Sequence, residues 1–212
     1  MNLCHLGDAL DSWKGWVVGK LRNVLKDVRV LPMFTDEDVR ATWNNARLEL
    51  YARLTGLADA NRILRPDIRF TAGTRGAYFD LDATLDGSDL FVDPDTGIEP
   101  PQGGGVRHIR VAEVVQLLPP ESHRLLLVYQ HSFREENWVD ARLQHVLRDL
   151  PARYVAFALW AGSVSMVFIS CDRGRLTACR GTLREIMVPL EPERARVTEI
   201  HEGQAADAKV AV

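Results

Sequence analysis

The 212 residues are short of features that would mark a special environment. Only three cysteines occur, Cys4, Cys171 and Cys179. That set is odd and sparse and has no zinc-knuckle spacing, so it suits a reducing compartment and offers no disulfide framework. No apolar run is long enough for a membrane-spanning helix. Residues 1–16 lack a basic stretch followed by an apolar block, so no secretory signal is read there. The expectation is a cytoplasmic protein with no membrane association. Charge of one sign is also missing. The net charge is −3, which makes no electrostatic case for nucleic acid or an anionic surface. The one glycine run, Gly103-Gly104-Gly105, lacks the Lys-Ser/Thr of a phosphate-binding loop and reads as a linker or lid.

What is present suits a globular domain: 46% apolar and 26% charged residues, in a chain long enough to bury a core. Helical spacing runs through Leu10, Trp13, Val17, Leu21 and Val24, with Asp8 as a cap. Val28–Leu31 is a short strand stopped by Pro32. Thr35–Asp38 opens a helix carried by Val39, Trp43, Leu50 and Leu54. A weak strand is expected at Arg62–Leu64 and a short helix at Tyr78–Leu85. Further strands are expected at Asp89–Val92, Leu125–Tyr129, Tyr154–Trp160 and Val164–Cys171, and further helices at Val111–Leu118, Asn137–Leu150 and Gly174–Met187. Strands alternating with helices predict a three-layer, Rossmann-like α/β fold, with a mostly parallel sheet covered on both faces and a C-terminal antiparallel hairpin adding an edge strand. The expected layout is one α/β domain over residues 1–190, with the helix of residues 1–26 packed on it and a charged, flexible tail over 191–212.

Ligands of open parallel sheets bind outside the carboxyl ends of the strands. Three strand ends deliver polar groups there. Asp93 and Asp95, in Asp93-Pro94-Asp95-Thr96-Gly97, are spaced to hold a divalent cation or accept from an amino group; the plainer reading is an Asx turn. His131 follows a strand and suits a general base, a metal ligand or a hydrogen-bond donor, or else a satisfied structural histidine. Asp93, Asp95 and His131 are therefore the candidate catalytic residues, with Asp93 and Asp95 also the candidate metal ligands. Pro94, Thr96, Gly97, Tyr129, Gln130, Arg134, Thr35, Asp36 and Lys14 are candidate ligand contacts. For Thr35 and Asp36 the competing role is helix capping, and for Lys14 it is a solvated surface. Arg173, Arg175, Arg180 and Arg184 place positive charge on the last helix, either a nucleic-acid face or a solvated one.

The second half resembles the C-terminal half of a Rossmann-type methyltransferase. Val92-Asp93-Pro94-Asp95 is similar to the Asp-Pro-Pro-Tyr strand end of amino-methyltransferases acting on adenine, which implies that Asp93 and the Pro94 carbonyl hold a target amino group. Asp95-Thr96 stands where that motif has its Pro-aromatic pair. The first strand runs into Pro32-Met33-Phe34-Thr35 without the Gly-x-Gly turn that admits S-adenosylmethionine. The pair of segments Asp93–Gly97 and Tyr129-Gln130-His131 also resembles strand ends in a group of uncharacterised bacterial proteins. The leading expectation is an enzyme acting on a nucleotide or nucleic acid by metal-assisted or acid/base phosphodiester chemistry. The alternatives are an S-adenosylmethionine-dependent methyltransferase or degenerate relative, and a non-enzymatic interaction module.

Overall fold

The computed structural model describes residues 6–65, 67–81, 85, 87–118, 123–132, 137–189 and 194–205. Helix α1 (Ala9–Lys20) starts where Asp8 accepts the amides of Leu10 and Asp11, the capping role expected of it. Strand β1 (Arg29–Pro32) follows. The helix expected from Thr35 onward is two helices, α2 (Val39–Thr42) and α3 (Asn45–Leu54). Asp38 caps the first through the Ala41 amide, and Asn44 caps the second through the Arg47 amide. Two short polar caps placed six residues apart break what a single apolar stripe suggests. Helix α3 ends in a Schellman turn, with Gly56 at φ +76° and Leu57 N donating to the Ala52 carbonyl.

Next come a 3-10 turn at Ala60–Arg62 and α4 (Arg75–Phe79). The weak strand expected at Arg62–Leu64 is a single bridge, Val30 to Ile63. Of the helix expected over 78–85, residues 82–84 lie outside the described residues. Then follow β2 (Leu90–Asp93), two short strands β3 (Gly97–Ile98) and β4 (His108–Ile109), α5 (Val111–Gln116), β5 (Leu126–His131), α6 (Trp138–Asp149), β6 (Val155–Ala161), β7 (Val164–Ser170) and α7 (Arg173–Met187). Strands β3 and β4 pair in a separate two-stranded sheet, and the glycine run lies in their connection. It is packed at one point: a Cβ on Gly104 would sit 2.9 Å from the His108 ring.

The main sheet has the order β1-β2-β5-β7-β6-β8. Strands β1, β2 and β5 are parallel, but every pairing beyond β5 is antiparallel. The sheet is therefore mixed, which corrects the mostly parallel arrangement expected. The Ala161–Ser163 turn folds β7 back between β5 and β6. Because β7 is buried along its whole length, it takes an interior place and not the edge. The edge comes from the stretch expected to be a flexible tail. Here β8 (Ala195–Val197) and β9 (His201–Glu202) both pair with β6, covering a strand that would otherwise present open backbone groups. Residues 206–212 lie outside the described residues.

Strand alternation divides the core in two. Phe91, Leu127, Tyr129, Phe157 and Phe168 face α1, α3 and α7. Val92, Leu126, Val128, Ala156 and Ile169 face α4, α5 and α6. Asp93 is two residues beyond Phe91, and His131 two beyond Tyr129, so both share the face that α1 and α3 cover.

Helix α1 crosses the end of α3 backbone against backbone. A Cβ on Gly15 would lie 1.9 Å from the Leu54 carbonyl oxygen, whereas one on Gly19 would meet nothing. The two glycines of one helix therefore respond with opposite sign. In urea unfolding, Gly15→Ala is expected to cost about 1–3 kcal/mol through the forced separation, and Gly19→Ala to stabilise by about 0.5–1 kcal/mol through helix propensity.

Candidate functional site

The carboxyl ends of β2 and β5 lie side by side, with Leu90, Phe91 and Val92 in register with Leu126, Leu127 and Val128. This brings Asp93 beside Tyr129 and His131. Over them lies the N-terminal half of α1. Lys14, one of the residues open to a solvated reading, is 4% exposed and Asp93 is 1% exposed. The Lys14 ammonium is 2.9 Å from the Asp93 carboxylate and 3.0 Å from Asp11. It also sits over the Tyr129 ring, 4.4 Å from its centroid, an attractive cation–π placement. From α3, the Tyr51 hydroxyl donates to Asp93 Oδ2 at 2.6 Å. Lys14 Nζ donates to the same oxygen at 2.9 Å; the other, Asp93 Oδ1, is buried with Lys14 Nζ 2.9 Å away as its ion-pair partner and no second donor among the described residues.

These groups border a recess of about 20 Å³ lined by Asp8, Leu10, Asp11, Lys14, Asp93, Pro94, Asp95, Tyr129 and His131, room for on the order of one water. Tyr129 Oη lies 3.3 Å from His131 Nε2. Burial alone would lower the Lys14 pKa, but the carboxylates of Asp93 and Asp11 outweigh it and the net direction is upward, so Lys14 stays an ammonium. Burial raises the Asp11 carboxyl against the pull of Lys14. It also raises the phenols of Tyr51 and Tyr129, with the negative charge of Asp93 adding to it. Burial first, and Lys14 second, lower the His131 imidazole. The recess therefore holds a neutral imidazole at its rim and a cation in the helix that covers it.

The loop between β2 and β3 is fastened to β5. The Gln130 side chain accepts from Ile98 N at 2.7 Å and donates to the carbonyls of Thr96 and His131. It passes under Gly97, whose φ is +122° and where a Cβ would sit 2.4 Å from the Gln130 amide. Thr96, Gly97 and Gln130 thus fix the loop that carries Pro94 and Asp95 and do not line the recess. Asp95 lies 3.4 Å from Arg107. Asp36 is turned away and accepts from Trp43 Nε1 at 2.8 Å; neither it nor Thr35 lines the recess, and Asp38, not Thr35, caps the helix that follows. Arg134 lies outside the described residues.

Of the expected site residues, Lys14, Asp93, Pro94, Asp95, Tyr129 and His131 come together. Tyr51 and Asp11, which were not singled out, join them, as does Asp8, expected only as a helix cap. Asp8, Asp11 and Lys14 stand at i, i+3, i+6 on one helix stripe, a signal present in the sequence. Among the described residues, no group of three or more His, Cys, Asp or Glu side chains is placed to hold a metal ion. The donor set fits a metal poorly, because Asp93 already faces an ammonium and a phenol. The arginines of α7 are occupied as well: Arg175 with Asp89 at 2.5 Å, Arg173 with Glu202, and Arg180 and Arg184 with Glu199. No described helix is long and apolar enough to cross a membrane. Comparison with protein-family models, curated proteins and solved structures finds no match.

Two measurements probe this network. Tyr51→Phe removes a hydrogen bond to a buried carboxylate and is expected to lower unfolding stability by about 1.5–3 kcal/mol in urea titration. In an NMR titration, His131 is expected to have its midpoint below the ordinary imidazole value of roughly 6.5, and Lys14→Met to move it up by removing the repelling cation. The sign for stability follows. The unfolded chain takes up this proton first, so the contribution of His131 is intact above about 6.5 and declines as pH falls toward the depressed folded value.

Proposed function

We propose that the chain is an enzyme whose acid/base centre is the strand-end cluster of Asp93, Lys14 and His131, acting on a substrate that presents amino or N–H groups. The observation that carries this reading is Asp93 itself: a buried carboxylate whose Oδ2 accepts from Tyr51 and Lys14 and whose Oδ1 faces, among the described residues, the Lys14 ammonium alone, at the wall of a recess at the strand ends, where ligands of open α/β sheets bind. Buried ionic groups cost stability relative to apolar ones, and perturbed titrating groups gathered at a recess are a functional signature. His131, kept neutral, is suited to accept a proton. Asp93 Oδ1 is suited to accept from a donor, and Lys14 holds the carboxylate's charge in place.

Charge balance favours amino over phosphate chemistry. Asp8, Asp11, Asp93 and Asp95 line the recess against one ammonium, so a phosphodiester would meet carboxylates on most sides. This weighs against both the phosphodiester version of the expectation and a nucleic-acid backbone as partner. The likeness of Asp93-Pro94 to the adenine amino-methyltransferase strand end directs the reading to a nucleobase as the amino-bearing group.

A second reading, a methyltransferase or a degenerate relative on a Rossmann-like sheet, draws on the reversed β7 inserted between β5 and β6, with β5 between it and the Asp-Pro strand end of β2. Against it stands the end of β1, where Pro32 runs into Met33-Phe34-Thr35 in place of a glycine turn.

Calorimetry with adenosine, cytidine, adenosine monophosphate and S-adenosylmethionine separates these readings. The expected result is binding of the nucleosides, no gain from phosphate, and at least a tenfold loss in both Asp93→Asn and His131→Gln. Affinity that depends on phosphate, or that ignores both substitutions, overturns the proposal. Micromolar binding of S-adenosylmethionine alone promotes the second reading.

A further inference from the structure

The recess is too small for the substrate class proposed for it. About 20 Å³ between α1 and the strand ends admits on the order of one water and no nucleobase. Something must move, and the two halves of α1 are attached in different ways. In the C-terminal half, Val17, Val18 and Leu21 are buried in the apolar core shared with α3 and α7. In the N-terminal half, Leu10 and Trp13 pack against that core only partly buried, and the other attachments are polar or aromatic: Lys14 to Asp93, Lys14 over the Tyr129 ring, and Trp13 edge-on to Tyr129 with centroids 6.4 Å apart. Between the halves lies Gly15, the residue with least helical preference in that stretch, resting backbone to backbone on the end of α3 at Leu54 and Gly56.

We infer that the segment from Asp8 to Lys14 is a lid latched by the Lys14–Asp93 ion pair and hinged at Gly15. It opens to admit substrate while Val17–Leu21 stays seated. The inference rests on the strand-end cluster being the place where substrate is handled. Opening withdraws the ammonium from Asp93 and exposes both carboxylate oxygens together with the faces of Tyr129 and His131. An amino-bearing substrate then offers donors to the carboxylate that Lys14 has left, so the latch and the substrate compete for one group. The polar attachments suit such a role, because an ion pair can be exchanged for a ligand's hydrogen bonds, whereas buried Val17 and Leu21 have no such substitute. Segments that move are drawn from the least apolar attachments of a fold.

Amide hydrogen exchange followed by NMR on the whole protein tests the lid without any ligand. The amides of Ser12, Trp13 and Lys14 are expected to exchange at least tenfold faster than those of Val17, Val18 and Gly19. Lys14→Met is expected to speed the first group at least tenfold more, with Val17–Gly19 and the central-strand amides of Leu127 and Val128 unchanged. Equal protection along the helix in the wild-type protein, or a variant in which both halves loosen together, overturns the lid. Should the methionine variant fail to fold, the wild-type ratio decides alone. If that ratio holds and adenosine and cytidine do not bind, the lid stands and the substrate assignment falls; if they bind and the ratio is near one, the reverse holds.

Discussion

The arrangement turns on one buried ion pair, Lys14 with Asp93. Taking both charges out of water is costly, and the cost is offset only where partners are close and numerous. Here the partners come from every side: Asp11 one helical turn earlier, Tyr51 from α3, the Tyr129 ring below. Each fixes something larger. Tyr51 ties α3 to the end of β2, and Lys14 ties α1 across it. The crossing of α1 on Leu54, possible because residue 15 has no side chain, sets the angle at which Lys14 arrives. Removing the cation would leave Asp93 and Asp11 facing each other without compensation.

The other end of the same strand gives a useful contrast. Asp89, just ahead of β2, is as deeply buried as Asp93. It accepts from the amides of Lys26 and Leu125 at 2.6 and 2.8 Å and from Arg175 at 2.5 Å. Both of its oxygens are used. That is how a carboxylate with a purely structural task looks: complete and sealed. Asp93 has an oxygen, Oδ1, whose one partner among the described residues is the Lys14 ammonium, and a wall of the recess beside it. The difference lies in their partners, since the two carboxylates share residue type and depth and flank the same strand.

Much of this was legible in the sequence, and the gaps have physical causes. Helices with clear apolar stripes, α6 and α7, lie within a residue or two of where the pattern puts them. Strand ends at Asp93 and His131 follow from apolar runs that stop. The direction of β7 was not legible, because a run buried on both faces looks the same whether it pairs parallel or antiparallel. Strands β8 and β9 were missed because two or three residues carry no period; they exist through β6. Tyr51 was missed because Leu50 and Leu54 suggest the wrong stripe once α2 and α3 are read as one helix; with the break at Asn44, the buried face is Leu48, Tyr51 and Ala52. Lys14 was visible, but the buried destination of its ammonium depends on how α1 crosses α3.

The reversal of β7 also shapes the site. In an all-parallel sheet the strand beyond β5 would bring its own carboxyl end and a loop leading into a helix to the same rim, widening the crevice. Instead, β7 presents its beginning there, opposite His131 at Val164, and the turn before it is short. Ser132 N donates to the Ser163 carbonyl at 2.8 Å, while His131 N donates to the Thr96 carbonyl at 3.1 Å. The backbone at the end of β5 is therefore held from both neighbours, by the hairpin on one side and the β2–β3 loop on the other. The imidazole of His131 projects from a fixed base, and the sheet beyond β5 contributes no lining residue to the recess. Among the described residues, what is left to rearrange at this edge is the cover laid over it from α1. The mixed sheet thus makes the floor of the site rigid and leaves motion to the helix above.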